Sequence, residues 1–463
     1  MRLLQVLCFL TALLGVGVVA AGPQCRAMAS GSVEAPSDAD GSVAGVPASS
    51  RVDQPLILRV LLSDSLPLVN VSSSGRVQVL DGEEKPLGEW VSPVSVEARL
   101  GGLHLKSLSG DLQGACFILV PEKGAYLSCE DKKCRGRFRV DLSSKGAVLL
   151  LNLVELEDYL RGVVPAEMPP LWAAESVKAQ AVAARTYAVQ RARQNHDAPF
   201  DLYATTADQL YLGAGKEHPA SDAAISATCG KIVTYAGEPI VAYYHSASGG
   251  RTRAGKLPYL MSVESPEEST HDSWRVELSL EELASALRKG GQDMGQLRVV
   301  SVSQDEGALG IAALQVRGSA GTAELTPARL RSLIGLDVIK SPSFSVETEG
   351  GWGLSREFRE IHHWMRVDAV SAYGEKEVKV RYCTVTSGKL TRPMYYTYYA
   401  AGVEQRPEKV ILLGGGYGHG VGMSQWGAKW MAEHGSTWEE IVKHYYTGVE
   451  IADITQIGVM GRL

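Results

Sequence analysis

The fold is decided by residues 154–193, which read VELEDYLRGVVPAEMPPLWAAESVKAQAVAARTYAVQRAR. A strand-like apolar run enters this stretch, and a turn bracketed by prolines follows at 165–170. A long Ala-rich helix is predicted over 172–194. Proline suits the first turn of a helix because its missing N–H would have no intrahelical partner there. The pattern therefore predicts that Glu167 lies on a stiff turn close to a helix N-terminus.

A carboxylate in that position has two interpretations. In the first, Glu167 complements the exposed N–H groups and the positive end of the helix dipole. In the second, it is a general acid, which a rigid turn holds and apolar neighbours such as Val163, Met168 and Trp172 keep protonatable. Taken alone, the residues favour the cap, because most acids at helix starts only cap.

The same stretch resembles the signature of the stage II sporulation protein D family, the peptidoglycan lytic transglycosylases. The matching residues are 156–165, 167–168 and 178–187, a long and nearly ungapped set. Glu167 falls where that family keeps its catalytic acid. The resemblance therefore favours the general acid.

Length and composition set the broad class of the protein. The chain has 463 residues, enough for two or three domains. It is 45% hydrophobic and 21% charged, which suits a folded soluble body with a sizeable core. Its formal net charge is −6 and it has no long basic run, so nucleic acid is not expected as a partner.

The N-terminus reads as a targeting segment. Residues 1–21 have a positive start, an apolar stretch and a small-residue cleavage site, as in a secretory signal. A retained membrane anchor is the alternative, and a lipoprotein at Cys25 is disfavoured by the poor match of 22–24 to a lipobox. Residues 22–55 are rich in Ser, Ala, Gly and Pro and are predicted to be a flexible linker. The protein is therefore expected to be exported to the periplasm or cell envelope, with a membrane tether at its N-terminus as an open alternative.

The seven cysteines do not outline a metal site. They are scattered singly apart from Cys129 and Cys134, which are the best local disulfide pair in an exported protein. A zinc ribbon would need a second close pair.

The rest of the chain predicts an α+β protein of mostly antiparallel strands. Residues 56–145 are β-rich, 146–451 form the family-like catalytic domain, and 452–463 are a tail. A long Ala-rich helix follows the catalytic turn, and short helices lie near the C-terminus. Between them the sequence predicts a short helix at 221–228 and strand pairs at 231–235 with 240–244 and at 297–302 with 311–316. On the long helix Val177, Ala181, Ala184 and Ala188 share one face. Arg185 lies beside that stripe, either as a solvated cation or as a partner for a carboxylate or sugar hydroxyl.

Two loops supply candidate ligand-binding residues. Residues 203–215 (YATTADQLYLGAG) contain Asp208, Gln209 and Tyr211, which either shape the site or pack a surface loop. Residues 242–252 (AYYHSASGGRT) resemble the family's His-Ser loop. The candidates there are His245, Ser246, Gly249 and Gly250, since paired glycines let a ligand approach the main chain.

A second signature lies near the C-terminus, where residues 414–428 read GGGYGHGVGMSQWGA. No Gly-Lys-Ser/Thr follows the glycines, so this is not a phosphate-binding loop. Repeated glycine suggests backbone pressed close to a ligand, with Tyr417, His419, Ser424 and Gln425 projecting. The alternative is a tight structural turn in which Ser424 caps the next helix. Residues 394–399 (MYYTYY) suit either sugar stacking or the core.

The resemblance implies cleavage of peptidoglycan glycan strands after N-acetylmuramic acid. Most glycosidases use two carboxylates, whereas a lytic transglycosylase uses one as acid and then base, and needs no cofactor. Relatives imply peptide-stripped glycan as substrate and an N-acetylmuramoyl-L-alanine amidase as a partner upstream. Some relatives carry Cys/His sets fit for zinc, but this loop has Ala247 and Ser248 beside His245, and Cys229 lies before the preceding strand, which argues against a metal. The alternative function is a non-catalytic amidase enhancer or a glycan-binding wall protein.

Overall fold

The computed structural model of the protein describes residues 55–266, 273–304, 311–350 and 407–457, with the backbone of four strands between 352 and 405. The predicted signal 1–21, the linker up to 54, the tyrosines at 395–398 and the end of the tail at 458–463 lie outside the described residues. Among the described residues, no helix has both the length and the apolar character that crossing a bilayer requires.

Twelve strands precede the first helix and form two packed antiparallel sheets. Val69, Val71, Val94 and Val96 alternate with exposed or half-buried residues along their strands and meet the first sheet in one core, as in a β-sandwich. The first sheet has the order β1-β12-β11-β8-β3-β4 and the second β10-β9-β2-β5-β6-β7. The strands are β1 Ile57–Leu66, β2 Leu68–Ser73, β3 Val77–Leu80, β4 Pro86–Trp90, β5 Val94–Arg99, β6 Gly102–Ser107, β7 Gly110–Gly114, β8 Cys116–Pro121, β9 Leu127–Cys129, β10 Lys132–Cys134, β11 Arg137–Leu142 and β12 Val148–Glu155.

Strand β12 connects the β-rich region to the signature stretch. It pairs antiparallel with β1 on one side and with β11 on the other. The predicted regions 56–145 and 146–451 therefore share one sheet. Residues from Asp53 onward form one compact unit.

The predicted turn around Glu167 is wrong, because residues Leu156–Glu167 form a helix, α1. Its buried residues recur at the spacing of one helical face: Leu156, Tyr159, Leu160, Val163 and Val164. Pro165 is tolerated in the last turn, at the loss of one backbone hydrogen bond. Glu167 therefore ends a helix instead of preceding one, and a helix C-terminus carries the negative end of the dipole.

Helix α2, Ala174–Gln194, is the long Ala-rich helix, and it is buried on almost all sides. The predicted stripe Val177, Ala181, Ala184 and Ala188 packs into the core of the β-sandwich. A second face, which includes Val182, packs into a different core with the C-terminal elements. Small side chains let elements on both sides approach the helix closely.

Short elements follow α2. Strand β13 adds parallel to the edge of β1, and α3 agrees with the helix predicted at 221–228. The strand predicted at 240–244 is shorter than expected and comprises only Tyr244–His245. The elements are β13 Leu202–Tyr203, a 3-10 turn Gly213–Lys216, α3 Pro219–Ala227, β14 Lys231–Tyr235, β15 Glu238–Pro239, β16 Tyr244–His245, β17 Gly250–Arg251 and β18 Glu264–Ser265.

An inserted region with its own core separates the His-Ser loop from the second signature. Trp274, Leu283, Leu314, Leu330 and Phe344 belong to this core. The predicted strand pair at 297–302 and 311–316 is confirmed as β20 and β21. The elements are β19 Trp274–Ser279, α4 Leu280–Lys289, β20 Leu297–Gln304, β21 Ile311–Gly318, β22 Thr322–Leu325, α5 Pro327–Ile334, β23 Phe344–Glu349, β24 Trp352–Glu360, β25 Cys383–Ser387, β26 Leu390–Met394, β27 Tyr399–Gln405 and β28 Lys409–Gly414.

The C-terminal elements return to the first body of the protein. Strand β29 pairs parallel with β16, so that Tyr244 lies opposite Met423 and His245 opposite Ser424. The elements are β29 Met423–Ser424, α6 Gln425–Glu433, α7 Trp438–Tyr445 and β30 Glu450–Asp453, which pairs with β14. The predicted α+β class is confirmed: the sheets are mostly antiparallel, with one long Ala-rich helix and short helices near the C-terminus.

Candidate functional site

Glu167 lies half-buried at the end of α1, and protein donors hold its carboxyl group. The backbone N–H of Leu210 donates to its Oε1 at 2.7 Å. The hydroxyl of Tyr244 also donates to the carboxyl group. Both donors come from segments distant in sequence, so the side chain has a defined orientation.

A chain of buried polar groups supports that arrangement. Tyr159 donates from its hydroxyl to Oε1 of Gln209 at 3.2 Å, and Nε2 of Gln209 donates to the Tyr244 hydroxyl at 3.0 Å. Nε2 of Gln209 also lies 3.3 Å from the carbonyl of Ala184 on α2. The hydroxyl oxygen of Tyr244 accepts the hydrogen bond from Gln209, and so its own O–H is directed to Glu167. Gln209, which the sequence offered as a residue that shapes the site, fixes the tyrosine that orients the acid.

The electrostatics of Glu167 suit a group that exchanges a proton. Burial raises the pKa of Glu167, and the bonds from Leu210 and Tyr244 oppose that shift in part. Burial likewise raises the pKa of Tyr244 well above its ordinary value, which keeps its hydroxyl protonated as a donor. The carboxyl group is therefore easier to protonate than a free glutamate and still stabilised when ionised.

The nearby carboxylates are committed to other partners. Asp208 is buried and binds Arg191 at 2.9 Å, the Tyr187 hydroxyl at 2.8 Å and the N–H of Tyr203 at 2.8 Å. Asp158 lies in ion-pair range of Arg161 and Arg135. In the described part of the chain, no second carboxylate contacts that of Glu167.

Arg185 is fully buried and cannot contact a ligand in this conformation. It forms a bidentate pair with Glu157, at 2.7 Å and 2.8 Å, and donates to the carbonyls of Ile225 and Lys231 at 3.2 Å each. These bonds tie α1, α2, α3 and β14 together. Of the two predicted partners, a carboxylate or a sugar hydroxyl, the geometry gives Arg185 the carboxylate of Glu157, and its part is structural.

Tyr211 is also a core residue. Its ring stacks on Tyr159 with centroids 5.0 Å apart, and its hydroxyl donates to Oδ1 of Asn152 at 2.8 Å. It therefore supports the Tyr159–Gln209–Tyr244 chain from behind and lies too deep to contact a sugar.

His245 and His419 form a pair beside this chain, with ring centroids 5.5 Å apart. Nδ1 of His245 donates to the carbonyl of Val421 at 3.2 Å, and its Nε2 is buried without a hydrogen-bond partner. Nδ1 of His419 accepts from the N–H of Val421 at 3.1 Å, which leaves its Nε2 to donate to the carbonyl of Tyr244. Burial lowers the pKa of His245 to about 3, and loss of water around the ring lowers the pKa of His419, an exposed residue of its loop, to about 4, so both are neutral near pH 7.

The glycines let the backbones of the two signature loops pack closely against each other. Gly249 and Gly416 both have positive φ, and a Cβ on Gly416 would lie 2.6 Å from the carbonyl oxygen of Ala247. A Cβ on Gly249 would lie 2.8 Å from the backbone of Gly415. The predicted close approach of backbone to a ligand is thus, at these positions, an approach of backbone to backbone. Gly250 has open space around its Cα and lies on the exposed side of the loop.

Of the remaining predicted residues, some are buried in the protein and others lie at the loop surface. Ser424 is buried and accepts from the N–H of Gly427 at 3.2 Å, so it caps α6 as the alternative interpretation required. Gln425 is buried and lies 3.4 Å from Gln180 of α2. Tyr417 and Ser246 are half-buried at the loop surface. The hydroxyl of Tyr417 lies 3.5 Å from Asp337 of the inserted region.

Sequence reasoning missed an aromatic pair that joins the two signature stretches. Trp172 follows Glu167 after a short turn, and its ring centroid lies 4.8 Å from that of Trp426 in the second signature. Nζ of Lys429 lies 5.9 Å and 5.6 Å from the two centroids. Both tryptophans were visible in the motifs, but only the fold brings them together.

The described residues do not assemble a metal site or the expected disulfide. No group of three His, Cys, Asp or Glu side chains among them is arranged to hold a metal ion. Cys229 neighbours Glu157 and Arg185, whereas His245 and His419 are held by Val421, so these residues do not fit zinc. The predicted pair is wrong: Cys129 and Cys134 are free thiols on neighbouring strands.

The segment that carries the site is similar to the stage II sporulation protein family. Residues 144–235, from β12 through α1, α2 and α3 to β14, match the family model described as Stage II sporulation protein, which confirms the resemblance. This segment carries Glu167, Tyr159 and Gln209.

Relatives extend the similarity beyond that segment. The chain is 29% identical over 318 residues to an uncharacterized protein of Brachyspira hyodysenteriae, covering 67% of this chain and 70% of the relative. It is 28% identical over 317 residues to the amidase enhancer of Bacillus subtilis, covering 63% of this chain but only 40% of that protein. It is 27% identical over 321 residues to stage II sporulation protein D of Bacillus subtilis, covering 65% of this chain and 75% of the relative.

Proposed function

We propose that the protein is an exported peptidoglycan lytic transglycosylase that cleaves the glycan strand after N-acetylmuramic acid. The observation that carries the proposal is the carboxyl group of Glu167: half-buried, oriented by Leu210 and Tyr244, and raised in pKa, with no carboxylate partner among the described residues. Hydrolytic glycosidases generally use two carboxylates across the scissile bond. A single oriented acid suits a reaction in which the substrate supplies its own nucleophile.

The reaction needs one residue in two protonation states. The protonated Glu167 donates its proton to the glycosidic oxygen as the C1–O bond breaks. The C6 hydroxyl of the same muramic acid attacks C1, and the Glu167 carboxylate takes the hydroxyl proton, which restores the acid. The products are a 1,6-anhydro end and a new free sugar end. The reaction consumes no water and needs no cofactor.

The surroundings supply roles for neighbouring groups. Tyr244 stabilises the carboxylate once the proton has left, because its O–H donates to Glu167. The half-buried Trp172–Trp426 pair, whose first member follows Glu167 shortly along the chain, offers apolar ring surface for a sugar. The neutral His245 and His419, with Ser246 and Tyr417, line the next part of the proposed groove.

The biological setting belongs to the same proposal. Residues 1–21 would direct export to the periplasm or cell envelope. The substrate would be glycan whose stem peptides an N-acetylmuramoyl-L-alanine amidase has removed. The second candidate function is an amidase enhancer without catalysis, which is favoured by the similarity to the Bacillus subtilis protein of that name.

The test compares three purified proteins on peptide-free and intact peptidoglycan, with products identified by mass spectrometry. They are the wild type, Glu167→Gln, and Glu238→Gln as a matched control at an exposed surface pair. Anhydro-ended fragments from the wild type and the control, but not from Glu167→Gln, are expected. Reducing-end fragments would instead indicate a hydrolase with a second carboxylate. Glycan binding without cleavage by any of the three would favour the amidase enhancer.

A further inference from the structure

Arg253 lies at the junction of the two signature loops with an unpaired guanidinium. Its backbone N–H donates to the carbonyl of Gly420 at 2.7 Å, and it forms an isolated parallel bridge with Val421. Its side chain runs across Gly420, since a Cβ there would lie 3.1 Å from Cδ of Arg253. The side chain is half-buried, and among the described residues no carboxylate or carbonyl accepts from its guanidinium.

This state is unusual for a half-buried arginine. Neighbouring Arg251, by contrast, pairs with Glu264 at 3.0 Å, as most arginines among the described residues do with an acid. Arg253 keeps part of its surface in water, and a ligand with a carboxylate would give its guanidinium a charge-assisted partner.

A second cation strengthens the positive potential at this place. Arg331 of α5 is half-buried and donates to the carbonyls of Ile339 at 2.6 Å and Leu336 at 3.4 Å, which are neutral acceptors. Asp337 lies near enough to offset its charge in part. Besides burial, the charges of Arg331 and Arg253 lower the pKa of His419, which places all three groups in one neighbourhood.

The same neighbourhood borders the catalytic acid. His419 donates to the backbone carbonyl of Tyr244, and the side chain of Tyr244 donates to Glu167. His419 and Tyr244 therefore connect the neighbourhood of Arg253 with that of Glu167.

We infer that Arg253, assisted by Arg331, binds the free lactyl carboxylate of an N-acetylmuramic acid unit and so selects peptide-stripped glycan. The inference rests on the proposed function. In an intact strand the lactyl carboxyl is an amide bonded to the stem peptide and has no charge. Removal of the peptide leaves a carboxylate, which presents two acceptor oxygens to a guanidinium fork.

The experiment measures equilibrium binding of the full-length protein carrying Glu167→Gln, so that no strand is cleaved. The probes are peptide-free glycan strands, the same strands with the lactyl carboxyls converted to methylamides, and intact strands that keep their stem peptides. Each is bound to the parent, to Arg253→Gln, to Arg331→Gln and to the matched control Arg251→Gln. Thermal melting of every variant shows whether it is folded.

The parent and Arg251→Gln are expected to bind the free-acid strands roughly tenfold more tightly than the methylamide strands, as one charge-assisted hydrogen-bond pair provides. Arg253→Gln should bind both at the weaker level, and Arg331→Gln should lose part of the preference. Equal binding of the two strands by the parent would overturn the inference and leave the proposed function intact. Intact strands that bind as tightly as free-acid strands through Arg253 would overturn it in favour of a stem-peptide carboxylate. No binding to any strand would overturn both proposals.

Discussion

The backbone N–H of Leu210 donates to Oε1 of Glu167 at 2.7 Å, and so a loop that follows the long helix α2 orients a side chain that precedes it. Tyr244, from a third segment, donates to the same carboxyl group. These two donors stabilise the ionised form, while burial favours the protonated form. The balance between them sets the pH range in which Glu167 acts as an acid.

The substitution Tyr244→Phe removes one of these two hydrogen-bond donors to the carboxyl group. Tyr244→Phe should raise the pKa of Glu167 further, because the hydroxyl that it lacks stabilises the carboxylate. The acid then stays protonated to higher pH, so the alkaline limb of the pH–rate profile should shift upward. The maximal rate of the Tyr244→Phe variant should fall by roughly tenfold to a hundredfold, since the carboxylate loses a charge-assisted hydrogen bond worth about 1.5–3 kcal/mol. A profile that moves to lower pH would contradict this assignment of Tyr244.

How far the sequence alone predicts this site is clearest at Glu167. Motif resemblance identifies the residue, but the turn predicted around it is wrong: the apolar spacing of Leu156, Tyr159, Leu160, Val163 and Val164 extends a helix to Glu167, whereas the prolines at 165–170 indicate a turn before the next helix. The correct spacing was present in the sequence. A proline in the last turn of a helix and a proline in the first turn look alike until the flanking periodicity is counted.

The other misses depend on tertiary contacts. Arg185 and Tyr211 are polar residues within the motifs, where a groove contact was expected, but each finds its partner inside, Arg185 with Glu157 and Tyr211 with Asn152. The meeting of Trp172 with Trp426 joins segments separated by an inserted region, and nothing local encodes it. Helix and strand types were predictable because they follow from periodicity, whereas these pairings follow from the packing of the whole chain.

Ionisation of the half-buried Glu167 is expected to lower the free energy of unfolding. Because the folded-state pKa of Glu167 is raised, the native state binds more protons than the unfolded state between the ordinary value of 4.5 and the raised value. Stability is therefore lost as pH rises through that window. Glu167→Gln does not titrate, so it should unfold at higher urea concentration than the wild type at pH 7.5. The difference should vanish at pH 4, and an equal difference at both values would show that ionisation is not its cause.

The third prediction concerns the histidine pair and has the opposite sign. Burial lowers the pKa of His245 to about 3, whereas the unfolded chain has a value near 6.5. The unfolded state therefore binds the proton first, and stability is lost as pH falls from about 6.5 toward 3. His245→Asn keeps a donor for the carbonyl of Val421 and does not titrate, so its unfolding free energy should fall less steeply with acidification. The exposed His196→Asn is the control and should follow the wild type.

The fourth prediction separates a structural Arg185 from a substrate-binding one. Loss of one partner of a buried ion pair costs about 3–5 kcal/mol, and Arg185→Ala should lie near 3 because Glu157 can regain water at its half-buried side chain. Urea unfolding measures this, with Arg193→Ala, which breaks the surface pair with Glu238, expected to cost under about 1 kcal/mol. Below its melting temperature Arg185→Ala should keep the KM of the wild type for peptide-free glycan, because no atom of Arg185 reaches the surface. A rise in KM at a constant folded fraction would indicate that Arg185 contacts the substrate. In that case α1 and α2 would have to separate when the glycan strand binds.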